Sequence, residues 1–309
     1  MREMELVFAG SPAAAVPSLA AIAASRHELL AVVTREDSPQ GRRGELTPTP
    51  VAAAAAELGY PVIKANRLAG AATEAVAELR PDLGVIVAYG GLVREPLLSL
   101  PRLGWINLHF SLLPRWRGAA PVQRAIMAGD DLTGASVFQL VPELDAGDVF
   151  GHLTQPIGAH ETAGHLLDSL ALSGAELLLR VVDALADGTA RAVRQHGDVT
   201  LAPKLELEDG RIDWTEPATT VLNTIRGVTP EPGAFTTLDG LRLKVLDSQI
   251  ARDEPRLAPG HLALSGRRLL AGTGSEPLEL LSVQPAGKKA MRAADWWRGR
   301  AAGSSLVAQ

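Results

Sequence analysis

The chain of 309 residues contains no cysteine. This absence excludes disulfide bonds, thiol nucleophiles and zinc sites with cysteine ligands. The chain also lacks an uninterrupted apolar run of about 18 residues, so we expect no membrane-spanning helix. Its N-terminal apolar stretch is interrupted at Gly10, Ser11 and Pro12, which favours a strand, a turn and a helix over a signal peptide. We therefore expect a cytoplasmic globular protein.

An excess of positive charge is also lacking, since the formal net charge is −5. Proteins that bind nucleic acids are often basic, so this total argues against such a partner. The distribution is uneven, however: residues 1–206 hold 17 Lys and Arg against 23 Asp and Glu, whereas residues 207–309 hold 13 against 12. On charge alone, an ordinary solvated surface is the simpler explanation for a late basic stretch that contains Lys288, Lys289, Arg292, Arg298 and Arg300.

Short apolar runs alternate with helical patterns through the first two-thirds of the chain. The run at residues 83–88 is short and almost wholly apolar, as expected for a parallel strand covered on both faces. Alternation of this kind predicts an α/β domain with a doubly wound, Rossmann-like parallel sheet. Strands are predicted at residues 6–9, 30–34, 62–64, 83–88, 105–109 and 149–156. Helices are predicted at residues 13–24, 50–58, 71–79, 119–128 and 162–186, the last with Thr162 as its N-cap.

The pattern changes after the α/β domain, which is predicted to span residues 1–188. Residues 189–206 have the composition of a linker. Asp239-Gly240 lies between two apolar runs and predicts a tight hairpin. Many short strands within residues 207–309 predict a second, smaller β-barrel domain. Its predicted elements are a helix at 218–226 and strands at 233–238, 241–250, 261–264, 268–271 and 278–283.

Two polar side chains occupy the predicted strand at 105–109, where a buried strand should be apolar. Residues two apart in a strand face the same side, so Asn107 and His109 point together. They lie near the carboxyl end of the strand, where open α/β sheets place their ligands. Asp145 follows in a loop that Gly147 allows to approach closely. An amide, an imidazole and a carboxylate suit the transfer of an acyl group to an amine, although each alone also fits an ordinary strand-end or turn residue.

These residues carry a family resemblance. The Asn-x-His pattern at 107–109, the Ser-Leu-Leu-Pro run at 111–114 and the Leu-Asp-x-Gly-Asp run at 144–148 resemble the folate-dependent formyltransferases. The extended run at 111–121 is similar to the members of that family that act on initiator tRNA, as are residues 8–12 and 281–291. Phe110 departs from the pattern, because a small residue is expected there, and it would crowd the wall of the pocket.

The resemblance implies a reaction and its participants. A formyl group would pass from the co-substrate 10-formyltetrahydrofolate to the α-amine of methionine esterified to initiator tRNA, with no metal ion involved. Asn107 would donate a hydrogen bond to the developing oxyanion. His109 would donate to the same oxygen or to the leaving nitrogen, and Asp145 would orient and charge His109. The enzyme would be a monomer whose second domain is an oligonucleotide-binding-like barrel that binds tRNA, and its folate slot would be edged by Ser111, Leu112, Leu113 and Pro114.

A long loop at residues 35–48 follows the second predicted strand. Glycines on both sides of Arg42 and Arg43 would let these guanidinium groups reach phosphates, although a solvated loop tip is the simpler interpretation of the sequence alone. In the tRNA-dependent members this position carries an insertion that enters the acceptor end, so the resemblance assigns Arg42 and Arg43 to tRNA. Lys288 and Lys289 are assigned to more distant phosphates.

Other sites are disfavoured, and other substrates stay open. Residues 8–12 lack the three glycines of a dinucleotide fingerprint, and His160 and His165 are five apart rather than the four that a zinc helix requires. The open alternatives are a 10-formyltetrahydrofolate hydrolase, a sugar-nucleotide N-formyltransferase and a folate- or RNA-binding module without catalysis. The hydrolase would not need the loop at residues 42–43. The sugar enzyme would use the same three polar residues with a different acceptor.

Overall fold

A computed structural model describes residues 2–40, 44–300 and 307–309 of the chain. These residues divide into two compact units. Unit 1 comprises Met1–Pro121, Thr133–Gln155 and Leu167–Ala202, and unit 2 comprises Val122–Leu132, Pro156–Leu166 and Pro203–Gln309. Among the described residues, no helix is long and apolar enough to cross a bilayer.

The first 202 residues contain the elements of an α/β fold. All the strands and helices predicted for this part are present, with ends that coincide or shift by up to three residues. The helices are α1 (Val16–Ala23), α2 (Pro50–Leu58), α3 (Ala71–Leu79), α4 (Pro121–Ala128) and α5 (Ala163–Ala186). The strands are β1 (Glu5–Gly10), β2 (Glu28–Thr34), β3 (Ser38–Gln40), β4 (Glu45–Thr47), β5 (Val62–Lys64), β6 (Leu83–Val87), β7 (Trp105–His109), β8 (Arg117–Gly118), β9 (Leu132–Gln139), β10 (Val149–Pro156) and β11 (Leu201–Ala202).

The central sheet has seven strands in the order β10-β9-β7-β6-β1-β2-β5. The strands from β7 to β5 pair in parallel, which confirms the Rossmann-like α/β class. Strand β9 was not predicted, and it pairs antiparallel with β7. The sheet is therefore mixed rather than wholly parallel. The strand was missed because it contains small and polar residues such as Thr133, Gly134 and Ser136, which interrupt the hydrophobic pattern although all three are buried.

Packing between β6 and β7 fixes the strand that carries the candidate site. Gly84 lies opposite Trp105 in the register of these strands. A Cβ atom at Gly84 would lie 2.2 Å from the Trp105 indole, so the glycine makes room for the ring. Trp105 is fully buried, and its Nε1 donates to the Leu97 carbonyl over 2.8 Å. A buried tryptophan removes roughly 150–250 Å² from water, which anchors the start of β7.

The segment predicted as a linker packs within unit 1 as far as Ala202. Val193 and Val149 exchange two backbone hydrogen bonds of 2.8 and 2.9 Å. Strand β11 then pairs in parallel with β8. The short paired stretches are not apolar enough to be recognised in the sequence. The last of the points at which the chain passes between the two units lies between residues 202 and 203.

Unit 2 contains an antiparallel sheet in the order β12-β13-β16-β15-β14, with β17 paired to β16. The predicted hairpin at Asp239-Gly240 is confirmed, since Leu238 pairs with Leu241 and both turn residues have positive φ. Beyond residue 202 the helices are α6 (Ala218–Gly227) and α7 (Ala293–Arg298), and the strands are β12 (Ala234–Leu238), β13 (Leu241–Ile250), β14 (Leu262–Ser265), β15 (Arg268–Ala271), β16 (Leu278–Pro285) and β17 (Met291–Arg292).

Residues 307–309 link the two edges of this antiparallel sheet. Gln309 exchanges backbone hydrogen bonds of 2.6 and 2.8 Å with Thr237 of edge strand β12. Ala308 donates to the Gly260 carbonyl over 2.8 Å, and Val307 bridges His261 just before edge strand β14. Because both edges are occupied by one segment, the sheet curls into the predicted barrel-like shape. Helix α7, which the sequence analysis treated only as a basic stretch, packs on β15 and β16.

Candidate active site

Asn107 and His109 lie on β7 in the positions that the alternation of a strand predicts. Asn107 is half-buried, and its Oδ1 atom is buried without a hydrogen-bond partner among the described residues. A half-turn about the last side-chain bond would place the NH2 donors at that point instead. A buried polar group without a partner is costly, which marks Asn107 as a contact for a ligand atom.

His109 is buried, and its two ring nitrogens face different groups. Nε2 lies 2.8 Å from the Trp116 carbonyl oxygen. A carbonyl only accepts, so Nε2 carries the hydrogen and donates it. Nδ1 faces the Asp145 carboxylate, with 3.8 Å to Oδ2. Burial lowers the pKa of His109, while the Asp145 charge and the Trp116 carbonyl act in the opposite direction.

Asp145 is buried and has a left-handed backbone, with φ of 46°. This conformation costs a residue with a side chain about 1–2 kcal/mol, although aspartate tolerates it better than most. Its Oδ2 accepts a hydrogen bond of 2.8 Å from the Gly118 backbone N–H. The carboxylate is therefore held between a backbone donor of β8 and the ring of His109. Asn107 and His109 of β7 and Asp145 of this loop thus all lie in unit 1.

The loop at residues 111–114 is closed by its own hydrogen bonds. The buried Ser111 hydroxyl donates to the Arg115 carbonyl over 2.6 Å. Ser136 of β9 donates to the Ser111 carbonyl over 2.7 Å and accepts from the Leu113 N–H at 3.3 Å. The Leu113–Pro114 peptide bond is cis. The buried hydroxyl of Ser111 thus donates within the protein, so the loop would meet a ligand through its backbone and its apolar side chains.

A cavity of about 620 Å³ lies beside this loop. Leu112 and Leu113 line it, and Asn107, His109 and Asp145 do not. The remaining wall comes from β9, β10 and the segment 193–196, which the sequence analysis had placed in the linker. Phe110 was expected to crowd the pocket wall, but a Cβ atom added at Gly174 of α5 would lie 3.5 Å from its ring. The ring therefore packs against α5.

Gln195 is the site residue that the sequence analysis missed. Its side-chain NH2 donates to the backbone carbonyls of Asp145 and Gly147, each over 2.8 Å. Its Oε1 accepts from Arg117 Nη2 at 2.6 Å and from Arg117 Nε at 3.2 Å. No local motif surrounds Gln195, so only the fold could reveal its contact with a residue 50 positions away.

The structure describes two of the four residues that were assigned to tRNA. Arg42 and Arg43 lie outside the described residues. On either side of them, β3 and β4 pair antiparallel with Gln40 opposite Glu45, so the long predicted loop contains two paired strands. Lys288 and Lys289 are exposed in unit 2 after β16. Within the described residues, no group of three or more His, Asp and Glu could hold a metal ion.

Two family models match different parts of the chain. Residues 4–182 match the family described as formyl transferase, and residues 204–301 match the formyl transferase C-terminal domain. The methionyl-tRNA formyltransferase of Leifsonia xyli is 64% identical over 298 residues, which cover 96% of this chain and 97% of that protein. The chain belongs to the methionyl-tRNA formyltransferase family.

Further relatives agree with this assignment. The methionyl-tRNA formyltransferase of Clavibacter sepedonicus is 60% identical over 296 residues, 96% of this chain and 97% of that protein. Among solved structures, an N-formyltransferase from Helicobacter canadensis, in complex with folinic acid and dTDP-3-aminofucose, has a TM-score of 0.69. It is 16% identical and covers 91% of this chain and 98% of that one, so it shows the shared fold alone. The resemblance inferred from the residues of the chain is confirmed.

Proposed function

We propose that this enzyme transfers the formyl group of 10-formyltetrahydrofolate to the α-amine of methionine esterified to initiator tRNA. The observation that carries the proposal is the 64% identity to a methionyl-tRNA formyltransferase across nearly all of both chains. The gathering of an amide, an imidazole and a carboxylate in unit 1 supports it, because formyl transfer to an amine needs these groups.

Asn107 is the donor that we assign to the formyl oxygen. As the amine nitrogen bonds to the formyl carbon, that oxygen gains negative charge, and a fixed donor stabilises it by roughly 3–4 kcal/mol. The Oδ1 atom of Asn107 is buried without a partner among the described residues, so a half-turn of the amide would direct its NH2 donors to that point.

His109 and Asp145 are assigned to the proton transfers. The amine must lose a proton and the leaving nitrogen must gain one. An α-amine titrates at about 7.7–8.0, so a weak base is sufficient. The Asp145 carboxylate at 3.8 Å favours the protonated ring that burial disfavours. His109 can therefore take up a proton beside Asp145 and release it within one turnover.

The other assigned residues bind the two substrates. The loop of Ser111, Leu112, Leu113 and Pro114 would edge the folate slot through its backbone and through the two leucines. Lys288 and Lys289, both exposed, would bind tRNA phosphates from the domain of residues 207–309. Arg42 and Arg43 would bind nearer to the aminoacylated end. A cytoplasmic monomer suits this function, and light scattering should give the 32.5 kDa mass of one chain.

One assay tests the proposed function against its alternatives. The enzyme is incubated with 10-formyltetrahydrofolate and an excess of methionyl initiator tRNA, methionyl elongator tRNA, an amino-sugar nucleotide or buffer alone. Formyl-methionine should appear rapidly with initiator tRNA and much more slowly with elongator tRNA. Release of formate in buffer alone at the same rate would indicate a hydrolase. Preferred formylation of the amino sugar would overturn the tRNA assignment.

A further inference from the structure

Gln195 joins three separate parts of unit 1 through one side-chain amide. The NH2 group donates to the carbonyls of Asp145 and Gly147 at 2.8 Å each. The amide oxygen accepts two hydrogen bonds from the Arg117 guanidinium, at 2.6 and 3.2 Å. All the hydrogen-bonding groups of the amide are thereby used, since glutamine offers two N–H donors and one carbonyl.

These contacts act on a residue of the candidate site that has a strained backbone. Asp145 has a φ of 46°, and such a backbone persists only where its surroundings hold it. Gln195 holds the carbonyl of Asp145 itself and the carbonyl two residues later. Arg117, which orients the amide of Gln195, immediately precedes Gly118, whose N–H binds the Asp145 carboxylate over 2.8 Å. The backbone of Asp145 is thus linked through Gln195 to Arg117 of β8, and its side chain is bound to the neighbouring Gly118.

The chemistry of glutamine suits this position better than that of its near isosteres. Both loop groups are carbonyls, which require donors, whereas Arg117 requires an acceptor. Glutamate would keep the acceptor but place a carboxylate against two carbonyl oxygens. Methionine would keep the length and shape but supply no donor. Only an amide satisfies both sides at once.

We propose that Gln195 is a positioning residue for formyl transfer, which holds the Asp145 loop so that its carboxylate faces His109 Nδ1, 3.8 Å away. This inference rests on the proposed function. Gln195 reaches Asp145 through its backbone and contacts neither Asn107 nor His109 in the hydrogen bonds of the described residues. It should therefore affect turnover more than substrate binding.

The test compares three variants with the wild-type enzyme under saturating methionyl initiator tRNA and 10-formyltetrahydrofolate. Gln195→Met and Gln195→Glu should each lower kcat by about 10- to 100-fold, because a displacement of about 1 Å at a catalytic group has an effect of that order. Gln195 lines the cavity beside Leu112 and Leu113, so the KM that separates positioning from binding is that for methionyl initiator tRNA, which should stay within about threefold of wild type. Gln155→Met is the matched control. Among the described residues the Gln155 side chain donates to the Ser169 hydroxyl on the surface of unit 1, at 3.0 Å, so kcat should not change.

A double-mutant cycle with Asp145→Asn separates positioning from a general loss of structure. If Gln195 acts through Asp145, adding Gln195→Met to Asp145→Asn should lower kcat by less than about threefold further. Wild-type kcat in Gln195→Glu, or a Gln195→Met effect of full size in the Asp145→Asn background, would overturn the inference. Failure of the wild-type enzyme to formylate methionyl initiator tRNA would instead refute the proposed function, so the two failures are distinguishable.

Discussion

Gly147 is the position where one added methyl group should disable the site. A Cβ atom there would lie 1.7 Å from the Gln139 carbonyl oxygen and 3.3 Å from Val141 Cγ1. The first of these atoms is backbone in β9, and it cannot move aside like the end of a flexible side chain. The backbone at 147 must therefore retreat by about 1.3 Å for Gly147→Ala to reach a tolerable separation of 3.0 Å.

This retreat should be transmitted to Asp145. The Gly147 carbonyl and the Asp145 carbonyl share the amide of Gln195, so the loop moves as one piece. A misplacement of about 1 Å lowers the rate by about 100-fold, which corresponds to about 2.7 kcal/mol in the activation barrier. Overpacking of this kind also costs about 1–3 kcal/mol of folding stability. Gly147→Ala should therefore fold, with a lower Tm, and react about 100-fold more slowly than wild type.

The assay is single-turnover formylation of methionyl initiator tRNA, with thermal unfolding of the same samples. Gly158→Ala after β10 is the control, because Gly158 is exposed outside the cavity lining and its Cβ would meet the Glu161 side chain at 3.3 Å. That variant should keep its rate within about threefold, since that side chain adjusts readily. A rate for Gly147→Ala within threefold of wild type would show that the close approach at Gly147 does not set the position of Asp145.

The roles assigned to the other residues can be tested in four further ways. Asn107→Ala, His109→Ala and Asp145→Ala should each lower kcat by about 100-fold or more, and double variants should fall short of the product of the singles; normal turnover of any one would remove it from the mechanism. Because burial lowers the pKa of His109, the unfolded chain gains a proton below pH ~6.5 that the folded protein resists, so stability should decline as the pH falls, and His109→Gln should flatten this decline in Tm. Lys288→Ala with Lys289→Ala should weaken tRNA binding and reduce the log–log salt slope by about one unit for each phosphate that is no longer neutralised; an unchanged slope would remove both from the tRNA surface. Formylation should survive EDTA once tRNA folding is corrected for Mg²⁺, and stoichiometric zinc in elemental analysis would contradict this.

The elements that the sequence predicted best carry both a periodic pattern and end signals. Helix α2 is the clearest case, since its predicted and observed ends coincide. Thr49 accepts a hydrogen bond from the Ala52 N–H over 3.0 Å, Pro50 opens the first turn, and Gly59 ends the helix with φ of 81°. Start and stop residues of this kind act within a few positions, so they can be recognised without knowledge of the fold.

The elements that the sequence did not predict depend on partners far along the chain. Strand β9 is buried through small and polar residues because Leu112 and the backbone of β10 approach it closely. A Cβ atom at Gly134 would lie 1.9 Å from the Leu153 carbonyl and 2.7 Å from Leu112 Cδ2. Ser136 is buried because it donates to the Ser111 carbonyl. Such residues look like a loop until the neighbours that enclose them are known.

The same distinction explains which part of the site could be predicted. Asn107, His109 and Asp145 can be recognised in the sequence. The first two are polar residues in an otherwise apolar strand, and Asp145 lies in a loop two residues before Gly147. Their chemical roles can be inferred from residue type. The precision of the site, however, is set by backbone atoms and by Gln195, which no local pattern singles out. Asp145 alone is held through its carboxylate by Gly118 and through its carbonyl by Gln195.

A strained residue such as Asp145 needs this excess of contacts. Its left-handed backbone costs about 1–2 kcal/mol, while one hydrogen bond contributes a net of only about 1 kcal/mol. The neutral bond from Gln195 alone only just offsets this strain, whereas together with the bond from Gly118 to the charged carboxylate it exceeds the strain. Segment 193–196, which has the composition of a linker, therefore contributes to the site: it supplies the Gln195 amide that stabilises the backbone of the loop at residues 145–147.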